Sequence, residues 1–182
     1  MGIFDKFKKE KMPTKKEISD SIDKFNQLWN TGIKEIWNID NPNSFVIAIT
    51  GRINEKCNYG DNISVLTSKE KIVYIVDKFQ SEVNNGGFIQ FLYSNGDLVD
   101  NLISSLIAIG AEHIAKIYEN ALENIPHKLP SNEEERNVLL NELITDNITK
   151  IFDSCDQKFY KYSDDLEELL YQFIRNNKNS FV

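Results

Sequence analysis

The sequence predicts an all-α protein, a single compact multi-helix domain without internal repeats. Three observations lead there. Apolar residues recur at spacings of three and four along most of the chain, the period of a helix with one buried face. Residues suited to capping stand at the head of several of these stretches, where their side chains can accept free amides of a first helical turn. The strand-like run from Phe45 to Ile49 has no convincing second strand to pair with. A lone strand leaves its backbone groups unsatisfied, so this run reads as a buried helix.

Taken in order, Ile18, Ile22, Phe25 and Trp29 form one stripe of a helix from about Lys15 to Asn30, the expected first core helix. Gly32, Asn38, Asp40, Asn41 and Pro42 surround Ile33, Ile36 and Trp37, which predicts one helical turn and then a loop. The polar stretch Asn54 to Asn62, with Gly60 and Asp61, reads as the longest internal loop. Thr67-Ser68-Lys69-Glu70 has the form of a capping box, opening a helix on which Ile72, Val76, Phe79 and Val83 share a face. Asn84, Asn85, Gly86 and Gly87 are expected to end it, since both residue types tolerate the left-handed conformation of a helix end.

Phe88 to Tyr93 then forms a short segment, followed by a turn at Ser94 to Asp97 with Asp97 as candidate cap. Leu98 to Ile109 is apolar around much of its circumference and is expected to be a central helix. Gly110 separates it from Ala111 to Ile125, whose apolar residues make a single stripe. Ser131-Asn132-Glu133-Glu134 reads as a second capping box, and the helical pattern after it runs to about Cys155 with a break at Thr145-Asp146. Ser163-Asp164-Asp165 caps a last helix carrying Leu166, Leu169, Leu170, Phe173 and Ile174. The expected organisation is a flexible basic segment over 1–15, one helical domain over 16–176 and a frayed end over 177–182.

With 182 residues, 41% of them hydrophobic, the chain has enough apolar material for one core. Its formal net charge of -7 argues against a general nucleic-acid binder. Residues 1–16 carry six lysines against two acids, leaving a body of net charge -11, and from Asp97 onward there are 16 acids and 8 bases. Met1 to Met12 lacks the apolar stretch of a signal peptide, and no run is long enough to cross a bilayer. Ile3, Phe4 and Phe7 among the lysines make only a weak lipid contact. A soluble, cytoplasmic protein without stable membrane association is expected.

Signs of catalytic chemistry are sparse. Cys57 and Cys155 are far apart and outside any CxxC spacing, and His113 and His127 are the only histidines, which removes most zinc sites. HExxH, P-loop and GxSxG motifs are absent, as is the Glu-x-x-His pair of di-iron bundles. Gly86-Gly87 lacks the lysine and the repeated glycine spacing of a phosphate cradle. A tight structural turn is expected instead, with Glu82, Asn84, Asn85 and Gln90 as partners for its backbone groups. No catalytic residue, cofactor or metal ligand is assigned.

The stretch Glu82-Val83-Asn84-Asn85-Gly86-Gly87-Phe88-Ile89-Gln90-Phe91 resembles the signature of the DMP-type DNA-mimic domain family, which is bacterial. Gly96-Asp97, Ile109-Gly110-Ala111, Asp156 with Phe159-Tyr160, and Asp165-Leu166 with Leu169-Leu170 resemble later family positions, so that the likeness covers about 66–175. The resemblance implies an all-helical fold, homodimerisation and, for the namesake member, binding to a transcription regulator in place of DNA.

The expected function is therefore that of a non-enzymatic acidic protein presenting carboxylates to the DNA-binding surface of a basic partner, whether a regulator, a histone-like protein or a toxin, with no direct contact to nucleic acid. Glu133, Glu134, Glu135, Asp164, Asp165, Glu167 and Glu168 are the candidate partner-binding residues, with Asp153 and Asp156 as weaker ones. Glu82, Asn84, Asn85, Gly86, Gly87, Phe88 and Gln90 are assigned as a structural motif. An immunity protein neutralising a basic nuclease is one alternative. A small enzyme centred on Glu82 to Gln90 is another.

Overall fold

Thr67 Oγ1 accepts the N–H of Glu70 at 3.2 Å, and Glu70 Oε2 accepts that of Thr67 at 2.7 Å. This reciprocal cap is the one the sequence predicts, and it opens the long helix around which the protein is organised. The computed structural model describes residues 13–126, 128–161 and 164–181, with the side chain of Trp29 outside that description. The expectations for the basic stretch Met1 to Met12, for His127, for Tyr162 and Ser163 and for Val182 lie outside the described residues.

The helices are α1 (Lys15–Trp29), α2 (Ile33–Ile36), α3 (Pro42–Lys56), α4 (Ser68–Asn95), α5 (Val99–Ile109), α6 (Glu112–Leu122), α7 (Glu133–Leu143), α8 (Asp146–Phe159) and α9 (Leu166–Asn176). Among the described residues there is no strand, and the fold is all-α in one domain. Helix α4 packs against α3, α5, α7, α8 and α9, α6 bridges α5 and α8, and α1 lies on α3. The centre is aromatic. The ring of Phe79 stands 5.1 to 6.1 Å from those of Phe88, Phe91, Tyr118 and Phe159, all in edge contacts, the geometry aromatic quadrupoles favour.

Several expectations need correction. Helix α1 forms where predicted, yet Ile18, Ile22 and Phe25 are 46%, 54% and 46% exposed. These three residues of the stripe therefore stay partly exposed, because periodicity reports that a face is apolar and not what covers it. The expected loop from Asn54 is α3 continuing to Lys56, and Cys57 is fully buried at its end. Two 3-10 turns, Asn58–Gly60 and Ile63–Val65, make the connection to α4.

Asp97 is not a helix cap but lies inside the 3-10 turn Gly96–Leu98. Helix α5 is buried along one face only, for Ile107 is exposed. Helix α7 is capped one residue later than expected, by Asn132, whose side chain accepts the N–H of Glu135 at 3.0 Å. The expected fraying after Asn176 gives way to a 3-10 turn, Lys178–Ser180, and Phe181 is buried.

Candidate functional site

The stretch Glu82 to Phe91 does not end α4 but breaks it. Gly86 has φ -157° and ψ 16°, Gly87 has φ 79° and ψ -179°, and helical backbone resumes at Phe88. The second arm of α4 thus begins with a free amide in the protein interior, where an unsatisfied donor is costly. Asp156 of α8 supplies the acceptor. Its carboxylate takes the Phe88 N–H at 3.0 and 3.1 Å and the Tyr118 hydroxyl at 2.7 Å.

Gly87 serves this contact twice. Its positive φ suits glycine, and a Cβ there would collide with Asp156 Oδ2. On the other side of the break, Tyr160 donates its hydroxyl to the Val83 carbonyl at 2.6 Å. Burial raises the carboxyl pKa of Asp156 while Tyr118 and the Phe88 amide pull it down. Burial, then the charge of Asp156, pushes the phenol of Tyr118 far above its ordinary range.

The partners of the break are therefore Asp156 and Tyr160 rather than Glu82, Asn84, Asn85 and Gln90. Asn84 and Asn85 are exposed, Glu82 is partly buried, and Gln90 donates to Ser94 Oγ at 2.8 Å. Among the described residues, no group of three or more His, Cys, Asp or Glu side chains is placed to hold a metal ion.

The acids assigned to the partner surface separate into two kinds. Glu133, Glu134 and Glu135 occupy the exposed first turn of α7, and their carboxylates accept no hydrogen bond and form no ion pair among the described residues. Beneath them Arg136, only 3% exposed, donates to the carbonyls of Tyr93, Ser94, Pro130 and Ser131 at 2.8 to 3.4 Å. Asp97 lies 4.0 Å from this guanidinium.

The acids of the α9 region are already engaged. Asp164 accepts the N–H of Ile114 at 2.9 Å and pairs with His113 Nδ1 at 2.8 Å, capping α6 from a distant part of the chain. Asp165 caps α9 by accepting from Glu168 N at 3.1 Å, Glu167 accepts from Asn43 at 2.6 Å, and Glu168 accepts from Gln172 at 2.7 Å. Asp153 is exposed, whereas Asp156 is buried in the α4 break and presents no surface charge.

A family model described as DMP19-like protein matches residues 64–177. The chain belongs to the DMP19-like protein family. The match begins just before the Thr67 cap and ends just after α9, so it takes in the α4 break, Asp156, Tyr160 and every acid assigned to the partner surface. No curated protein and no solved structure matches the chain. In this DMP19-like protein, Val83, Gly87 and Phe88 of the signature and the separate Asp156 and Phe159-Tyr160 positions converge on one junction. They encode the fold, and the exposed carboxylates lie elsewhere.

The roles of two residues central to this arrangement are not legible in the sequence, where Asp156 stands as a family-like position and a weaker surface candidate. Arg136 follows three glutamates and looks like a surface charge, and only the tertiary position of four carbonyls makes it a buried clamp. Asp156 sits among polar residues of α8, and its spacing of four from Phe152 and three from Phe159 was the available sign that it shares their buried face.

Proposed function

We propose that this DMP19-like protein is a non-enzymatic acidic binding protein that occupies the DNA-binding surface of a basic partner such as a transcription regulator, acting in the cytoplasm as a homodimer. The observation that carries this reading is the first turn of α7. Its three exposed carboxylates have no partner among the described residues, Asn132 caps the turn, and Arg136 holds it against α4. Rigidly held charges lose little freedom when a lysine or arginine pairs with them, and they compete with phosphate for the same cations. Family membership agrees with this role.

The test has two steps. The tagged full chain is used to capture basic proteins from its native extract, and a captured DNA-binding protein is then titrated against its own duplex in a mobility-shift assay. The expected result is displacement of the duplex, weakened by raised salt and by at least tenfold in the variant carrying Glu133→Gln, Glu134→Gln and Glu135→Gln. Simultaneous binding of the duplex and this protein to the partner would refute mimicry. Capture of a nuclease whose activity is blocked would favour the immunity reading instead.

A further inference from the structure

Helices α6 and α8 lie side by side and leave an open groove of about 780 Å³. Ile117 and Ala121 from α6 and Ile151 and Cys155 from α8 line it with apolar surface. Lys116, Lys150, Lys158 and Lys161 stand around this surface, and among the described residues no aspartate or glutamate lines the groove. These are four of the 8 bases found from Asp97 onward, in a stretch with 16 acids. All four are exposed, and none of their ammonium groups forms an ion pair, a hydrogen bond or a ring contact among the described residues. An acidic body thus carries a concentrated basic groove.

The layout of the groove restricts its occupant. Lys150 and Lys158 lie eight residues apart on α8, roughly 12 Å along the axis, too far to converge on one headgroup. A small amphiphile in so open a groove would leave much of its surface wet, unlike the usual small-molecule site. Single-stranded nucleic acid is held by successive bases stacking on a series of aromatic rings, and among the described residues the groove is lined by one ring, the imidazole of His113, which is paired with Asp164. The chain's own stretch 1–16 carries six lysines and two acids and is repelled by the rim. An amphipathic helix meets every condition, with its apolar stripe along the floor and its flanking acids on the lysines.

We propose that the α6–α8 groove is a docking site for an acidic amphipathic helix of a partner protein. The site is independent of the carboxylates of α7 and stands whether or not those mimic DNA.

The probe is a fluorescein-labelled synthetic helical peptide with leucines at three- and four-residue spacing and glutamates on both flanks, titrated with the full chain by fluorescence anisotropy. Binding is expected at least tenfold tighter than that of a scrambled peptide of equal charge. The double variant Lys150→Glu and Lys158→Glu is expected to weaken it at least tenfold, while Lys34→Glu on α2 changes it less than twofold. Far-UV circular dichroism checks that the variants fold, and amide shifts are expected to move over 116–121 and 147–158. Equal affinity for the scrambled peptide, an unaffected double variant or shifts confined to other helices would each overturn the proposal. Tighter binding of dodecanoate or of a single-stranded oligonucleotide at the same lysines would overturn it in favour of that ligand class.

Discussion

Gly87 shows how one residue can determine where a helix bends. Its backbone sits at φ 79°, and Asp156 Oδ2 occupies the space a side chain would need. Gly87→Ala is expected to cost about 2–3 kcal/mol, combining left-handed strain with displacement of the carboxylate from the Phe88 amide. The urea midpoint measures it, and a midpoint equal to the parent's would show that the junction relaxes freely. Asp77 presents a different problem at the same scale. It lines a cleft of about 200 Å³ with Val46, Ile47 and Glu167, where burial pushes its carboxyl up to about 6 against the pull of Lys78.

The folded state therefore holds the Asp77 proton more tightly than the unfolded chain does. The resulting contribution to stability is fully present below about pH 4 and is lost as pH rises through about 6. Asp77→Asn is expected to raise stability by about 1–3 kcal/mol at pH 7.5 and to leave it unchanged at pH 4. Urea titrations at the two pH values check this, and an equal effect at both would assign the change to packing instead.

At the scale of elements, end chemistry sets the boundaries and tertiary partners set the interruptions. Asn132→Ala removes the acceptor of the Glu135 amide and is expected to cost about 1 kcal/mol. Hydrogen exchange should show the loss concentrated in the first turn of α7. Protection there equal to the parent's would mean that Arg136 alone holds the turn. The same division explains what was legible beforehand. The Thr67 cap, the apolar face of α6 and the break before α8 depend on neighbours within a few residues, so local pattern revealed them. The continuity of α4 through Gly86-Gly87 depends on a carboxylate 68 residues beyond Phe88, which no local pattern contains. Asp164 looked like part of a helix cap and is one, but for α6 rather than for the helix that follows it. Of the candidate surface, the exposed acids of α7 were legible because a first helical turn favours carboxylates. Near α9 the cap at Asp165 was legible too, whereas the engagement of Asp164 and Glu167 was not, since their partners come from α6 and α3.

The family match starts at residue 64, yet the molecule does not divide there. Arg175 of α9 donates to the carbonyls of Trp37 and Ile39 at 2.8 and 2.6 Å and stacks over Phe45 at 4.1 Å. Helix α3 packs on both α4 and α9, and it places Phe45, Val46, Ala48, Ile49 and Ile53 in the common core. At the other end, Thr67 donates its hydroxyl to the Ser180 carbonyl at 3.3 Å, and Phe181 shares a cleft with Ile49 and Ile53 of α3. Burying a large aliphatic or aromatic side chain contributes about 1.5–3 kcal/mol, so the set on α3 is comparable to the whole stability of an ordinary domain, about 5–15 kcal/mol. The segment 64–177 by itself is therefore expected to keep helical secondary structure but lose fixed packing. It should bind the dye ANS and show a weak near-UV spectrum, while the full chain unfolds in urea with coincident near- and far-UV transitions. A cooperative transition in the isolated segment would mean instead that α1 to α3 are an addition to a self-sufficient core.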